Sequence, residues 1–223
     1  MLCGVRRRLY LMRHAEVSYV GARDPETVRL TPRGREQAAA AALALAGIDV
    51  DLVVTSGLPR TLETAEVVVP GWDPERWPDF AEWRGGRLDG IPRDELEQLF
   101  VGALHARGEE QRFLGGESLG EALDRVLPAL DRLVAREWET ALAIFHGGVN
   151  RIVLSHALAG SRSYFGGFEQ APACINVLDL DHTGWIVRTV NYIPYDPLHP
   201  ARTTTMEQVW SELAASLDDR QER

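Results

Sequence analysis

Arg13-His14 falls where the apolar run Leu9-Tyr10-Leu11-Met12 stops, and the carboxyl end of a strand is where an α/β sheet presents its chemistry. Two further groups sit at similar junctions: Arg60 follows Leu52-Val53-Val54 and a Ser56-Gly57-Leu58-Pro59 turn, and His146-Gly147-Gly148 follows Ala141–Phe145. Imidazole is a nucleophile when neutral, and guanidinium carries a permanent charge and a fork of donors suited to phosphoryl oxygens. These residues therefore point to a phosphate pocket built around a nucleophilic histidine.

Two competing motifs fit their surroundings less well. Gly116-Glu117-Ser118-Leu119-Gly120 has the form of a serine-hydrolase elbow, but charged Glu109-Glu110-Gln111-Arg112 precedes it where a buried strand is required. Ser118 with Glu121 reads instead as a helix-capping box. Asp179-Leu180-Asp181-His182-Thr183 has the form of an aspartyl-phosphatase nucleophile segment, yet that chemistry uses a lysine, and all 24 basic residues here are arginine. The same absence removes Walker-type phosphate loops and Schiff-base chemistry. The six histidines show no metal-ligand spacing, so neither a metal nor a cofactor is expected.

The elements that must position these groups follow from hydrophobic patterning. Short β-like runs at Arg8–Met12, Asp51–Thr55 and Ala141–Phe145 alternate with helical stretches at Thr31–Ala46, Arg60–Val69, Arg93–Leu104, Ser118–Val134 and Asn150–Ala159. A short strand is expected near Trp77–Phe80, a hairpin from Cys174–Leu180 and Trp185–Tyr192, and a last helix over Met206–Leu217 with a frayed tail from Asp218. The pattern predicts one α/β domain over residues 1–223: a three-layer sandwich with a mostly parallel central sheet, helices on both faces and an antiparallel edge hairpin.

A chain of 223 residues that is 45% apolar can bury a sizeable core. Its formal net charge of −9 argues against broad binding to nucleic acid or anionic membranes, so an anionic substrate must be held by a local positive cluster. Two isolated cysteines, Cys3 and Cys174, form no disulfide framework, and the apolar run after the N-terminal arginines is too short for a signal-peptide core or a membrane span. The reading is a cytoplasmic protein, for which a homodimer is compatible.

Six segments occur in an order that resembles the histidine phosphatase superfamily, in the branch with the phosphoglycerate mutases. They are Arg13-His14-Ala15-Glu16, Leu30-Thr31-x-x-Gly34-x-x-Gln37-Ala38, Ser56-x-Leu58-x-Arg60-Thr61-x-x-Thr64-Ala65, Glu82-x-x-x-Gly86-x-x-x-Gly90, Gly115-Gly116-Glu117-Ser118 and His146-Gly147-Gly148. The resemblance departs at Ala15, where the family usually has glycine, and at Val17-Ser18-Tyr19-Val20, which lacks the usual asparagine. It implies a metal-independent phosphomonoesterase acting on a small phosphorylated substrate, with a phosphomutase or a non-catalytic phosphate-binding module as alternatives.

On this resemblance His14 is the nucleophile, Arg13 and Arg60 hold the phosphoryl oxygens, and His146 donates to them as an imidazolium with the Gly147 N–H behind it. Glu82 is the proton donor by its family position, with Glu75, Asp79, Asp89 and Glu117 as other carboxylates nearby. Glu16, Tyr19, Arg23, Arg84 and Arg87 are candidates for the pocket mouth. The segment around 82–117 is expected to form a lid, although the paired arginines of a mutase lid are not evident in Arg107 and Arg112.

Overall fold

Leu9 and Leu11 enter one hydrophobic cluster while Met12 enters another, so alternate side chains of the first strand feed both faces of a sheet. The computed structural model describes residues 6–86, 91–105 and 108–221. Cys3, Arg87, Asp89, Gly90 and Arg107 lie outside them. Six strands, β1 (Arg7–Arg13), β2 (Leu52–Thr55), β3 (Glu75–Arg76), β4 (Thr140–Phe145), β5 (Ile175–Asp181) and β6 (Gly184–Tyr192), form one sheet in the order β3-β2-β4-β1-β5-β6. The first four are mutually parallel. β5 runs antiparallel to both β1 and β6.

One face is covered by α1 (Pro32–Ala44) and α2 (Pro59–Val68), whose Ala38, Ala41, Ala65 and Val68 pack with Met12, Val53, Leu142 and Ile144. The other is covered by α4 (Leu119–Val134) and α5 (Gly147–Ala159), packed on Leu9, Leu11, Val54 and Phe145. The buried stripe of α4, Leu119, Leu123, Val126, Leu130 and Leu133 among others, follows the helical period. Each such leucine contributes about 2 kcal/mol by leaving water. Ser118 caps this helix in a full capping box with Glu121. Asp179 is buried between Arg8 and Arg188, which donate to its carboxylate from β1 and β6, and Asp181 closes the hairpin turn on Thr183. The two rival motifs are thus a helix cap and a strand clamp.

Several boundaries differ from expectation for local reasons. The short strand is Glu75–Arg76, and Pro78–Phe80 forms a 3₁₀ turn, because Pro78 has no N–H to donate to a ladder. α5 begins at Gly147, directly after His146, and not at Asn150; two glycines read as a turn until a strand end fixes their conformation. α3 (Arg93–Val101) gives way to 3₁₀ geometry at Gly102, and α6 (Thr205–Gln221) continues past Asp218.

The excursion between Trp83 and Glu117 is fastened at its base. The Glu117 N–H donates to Arg84 O at 2.9 Å, and the Trp83 indole donates to Glu117 O at 2.8 Å. Gly86 and Gly116 let the two arms meet: a Cβ on Gly86 would lie 2.3 Å from Leu114 O, and one on Gly116 2.5 Å from Arg84 O. Phe100 of α3 contacts Trp210 of α6, with ring centroids 6.0 Å apart.

Candidate active site

The parallel strands β1 and β4 end side by side, with Arg13 paired to Phe145 in register, so the residues after them emerge together. His14 and His146 meet there edge to face, with ring centroids 5.1 Å apart. Both are buried, as are Arg13 and Arg60. Arg60 arrives in the first turn of α2 after β2, and its Nε donates to His146 Nδ1 at 3.3 Å.

The His14 ring has a defined tautomer. Its Nδ1 lies 2.8 Å from Ala15 O, and a carbonyl only accepts, so Nδ1 carries the proton and Nε2 keeps its lone pair. Burial, reinforced by the charges of Arg60 and Arg13, holds His14 well below the ordinary imidazole range and therefore neutral at pH 7. A neutral, oriented imidazole beside two guanidinium groups is what attack on phosphorus requires.

His146 differs from the imidazolium expected. Burial, then the charge of Arg60, pushes it well below 6.5 as well. Its Nδ1 accepts from Arg60, which leaves the proton on Nε2, 2.8 Å from Ser56 Oγ. In this state the ring is neutral and anchors Arg60, whose terminal nitrogen also donates to Pro25 O at 3.0 Å.

Arg13 donates to Gln170 O at 2.5 Å, while its Nε is buried without a hydrogen-bond partner. A Cβ on Gly147 would stand 3.6 Å from that guanidinium, so the first residue of α5 sits directly against it. Glu82 reaches the same helix end. Its Oε1 accepts the N–H groups of Gly148 at 3.0 Å and of Trp83 at 2.9 Å, a favourable place for a carboxylate at a helix N-terminus. Arg13, His14, Arg60, Glu82, His146 and Gly147 are thus brought together from four segments.

The other candidate carboxylates within the described residues, Glu75, Asp79 and Glu117, are engaged elsewhere. Glu117 pairs with Arg125 at 2.8 Å, Asp79 with Arg132 at 2.5 Å, and Glu75 with Arg136. Glu82 has no such ion pair among the described residues. Of the mouth candidates, Glu16 accepts from Thr31 Oγ1 at 2.8 Å and ties the loop after β1 to α1, and Tyr19 packs on the α1 side of the core. Arg23 is exposed, and Arg84 reaches Glu26 at 3.6 Å across the loop. None of the four makes a hydrogen bond or ion pair with Arg13, His14, Arg60 or His146 among the described residues.

Sequence reasoning passed over several positioning groups. Thr64 accepts the Ala15 N–H at 3.1 Å, and Ser56 contacts both His146 and Thr61. Arg125 donates to Asp79 O and Ala81 O, holding the backbone that leads to Glu82. Arg151, buried one turn into α5, donates to Gly147 O at 3.0 Å. Only Ser56 and Thr64 had a signal, in their spacing about Arg60. Among the described residues no group of three or more His, Cys, Asp or Glu side chains is placed to hold a metal ion, and no helix is long and apolar enough to cross a membrane.

The sequence profile of the histidine phosphatase superfamily (branch 1) matches residues 9–193. The chain belongs to that superfamily. Among its relatives, 2-carboxy-D-arabinitol-1-phosphatase of Triticum aestivum is 26% identical over 185 residues, covering 78% of this chain and 37% of that protein. Glucosyl-3-phosphoglycerate phosphatase of Mycolicibacterium vanbaalenii is 32% identical over 158 residues, covering 64% of this chain and 70% of its own. The chain therefore spans little more than a third of the wheat relative's length but most of the bacterial one's. In solved structures the same fold occurs in a mycobacterial glucosyl-3-phosphoglycerate phosphatase complexed with VO3, at TM-score 0.68 and 24% identity, with 83% of this chain and 98% of that one covered. The alpha-ribazole phosphatase from Shigella flexneri gives TM-score 0.66 at 23% identity, with 82% and 96% covered.

Proposed function

We propose that this histidine phosphatase is a metal-independent phosphomonoesterase that works through a phosphohistidine on His14. The observation that carries the reading is the fixed tautomer of a buried, neutral His14 beside Arg13 and Arg60, with Arg13 Nε left unpartnered. His14 Nε2 attacks phosphorus, the N–P bond forms, and the bond to the leaving oxygen breaks. Arg13 and Arg60 take up the charge on the equatorial oxygens. Glu82, in its protonated form, gives its proton to the departing alkoxide. As a carboxylate it then removes a proton from the water that displaces His14, which restores both groups and releases inorganic phosphate.

His146 fixes Arg60 in the free protein. A bound phosphoryl dianion offsets the two arginine charges and favours proton uptake by His146, which then becomes a donor to the phosphoryl group. The excursion from Glu82 to Glu117 serves as the lid of a single domain, its base fastened at Arg84 and Glu117. The substrate is a small phosphorylated molecule, as the names of the related phosphatases suggest. The buried free thiol of Cys174 suits a reducing, cytoplasmic setting.

Release of inorganic phosphate from p-nitrophenyl phosphate, together with acid-labile, base-stable phosphate on the rapidly quenched protein, tests this reading. Both should vanish in His14→Ala. Phosphate release without any phosphoenzyme, or unchanged turnover in His14→Ala, would overturn it.

A further inference from the structure

Behind the phosphate pocket an amide cluster interrupts an otherwise apolar core. Gln170, in the loop between α5 and β5, is fully buried. Its Oε1 accepts from Asn150 Nδ2 at 3.1 Å and from Asn176 Nδ2 at 2.9 Å, and its Nε2 donates to Asn176 Oδ1 at 3.0 Å. Asn176 also donates to Leu11 O at 2.8 Å, two residues before Arg13, and Asn150 lies one turn after His146. The cluster thus ties together the elements that carry Arg13, His14 and His146. Its one outward connection toward the chemistry is the Gln170 carbonyl, which accepts from Arg13 NH1 at 2.5 Å.

We propose that Gln170 is a positioning residue for Arg13, a role that rests on the phosphatase reading above. The guanidinium has several donors and a long stem, and only a fixed acceptor behind it selects one orientation. With NH1 committed to the Gln170 carbonyl, the buried Nε stays unpartnered beside Gly147, free to meet an anion. The carbonyl is itself held, because the side chain of the same residue is locked by three amide contacts from two elements. Buried polar groups of this kind are costly unless satisfied, and every amide atom of the three side chains except Asn150 Oδ1 has a partner, so the cluster selects a single arrangement of the loop. Asp179 provides the contrast: it is equally buried and ion-paired, but its partners are Arg8 and Arg188, far along the strands from Arg13.

The test is a double-mutant cycle read by orthovanadate binding to the full chain, measured calorimetrically without turnover. Gln170→Ala should weaken vanadate about tenfold in the wild-type background and less than about twofold in Arg13→Ala, because the second change has nothing left to position. Asp179→Asn, which lowers stability by breaking a buried pair, should leave vanadate affinity within about twofold. Wild-type affinity in Gln170→Ala, or the same loss in both backgrounds, would remove Gln170 from the role while leaving the phosphatase reading intact. Should Gln170→Ala not fold, the same cycle with Asn150→Ala is decided by the same two outcomes. Absence of vanadate binding by the wild-type protein would overturn the phosphatase reading itself, and the proposal with it.

Discussion

Glu82 Oε1 and the main-chain nitrogen of Gly148 lie 3.0 Å apart, which places the carboxylate on the first turn of the helix that His146 caps. The contact depends on Gly148 having no side chain, since a Cβ there would stand 2.7 Å from Glu82 Oε1 and 3.3 Å from Trp83 Cβ.

Gly148→Ala should therefore displace Glu82 while sparing the fold, because alanine favours the helix and the colliding atom ends a flexible side chain. Turnover of an alkyl phosphate should drop on the order of 10²-fold, the scale of a misplaced catalytic group, with little change in thermal midpoint. Unchanged turnover would show that the Glu82 carboxylate need not occupy this place.

Leaving-group dependence separates a general acid from a bystander. Expulsion of a basic alkoxide needs a proton in the transition state, worth roughly 10²–10⁴ in rate, and a nitrophenolate needs little such help. Glu82→Gln should slow phosphohistidine formation severely from an alkyl phosphate and much less from p-nitrophenyl phosphate, both followed as single-turnover bursts. Equal losses on the two substrates would assign Glu82 to positioning alone.

Burial and the neighbouring arginines hold His14 and His146 below 6.5 in the folded state. The unfolded chain binds two protons near that pH that the native state refuses, so stability is present above the unfolded pKa and is lost as pH falls through it. The slope reaches up to about 1.4 kcal/mol per pH unit for each histidine. Urea unfolding at about pH 7.5 and 5.5 should show this loss, and His146→Gln should show a shallower one. Identical slopes in the two proteins would mean that His146 titrates normally in the folded state.

The proposed transfer uses guanidinium groups to neutralise the phosphoryl charge. Turnover should persist in excess chelator and be blocked by vanadate. Activity that vanished with EDTA and returned with magnesium would contradict the mechanism.

The convergence of Arg13, His14, Arg60 and His146 was legible because each follows a buried strand. Leu9–Met12, Leu52–Val54 and Ala141–Phe145 are continuous apolar runs, and the residue after such a run lands at the sheet's carboxyl edge. The α5 start was misread because Gly147-Gly148 carries no helical signal by itself; the strand before it and the carboxylate of Glu82 supply what the local sequence lacks. Arg151 and Gln170 were invisible for another reason. Nothing near them in sequence distinguishes a buried arginine or glutamine from a surface one, and their partners at Gly166, Glu169, Asn176 and Arg13 are fixed only by tertiary packing. The mouth candidates Glu16 and Arg84 also fasten loops, a use of charged residues that no local pattern announces.

The neighbours of β1 are β4 and β5, segments that begin at Thr140 and Ile175. During synthesis Leu9–Met12 therefore stays without either partner strand until more than half of the chain has been made, a delay on the order of ten seconds at ribosomal rates. For that interval the most apolar strand near the N-terminus is an open template for pairing with another chain, and what separates it from such pairing is charge: Arg6, Arg7 and Arg8 on one side and Arg13 on the other. The arginine proposed to hold the phosphoryl group in the finished protein is also, before folding, placed to oppose such pairing.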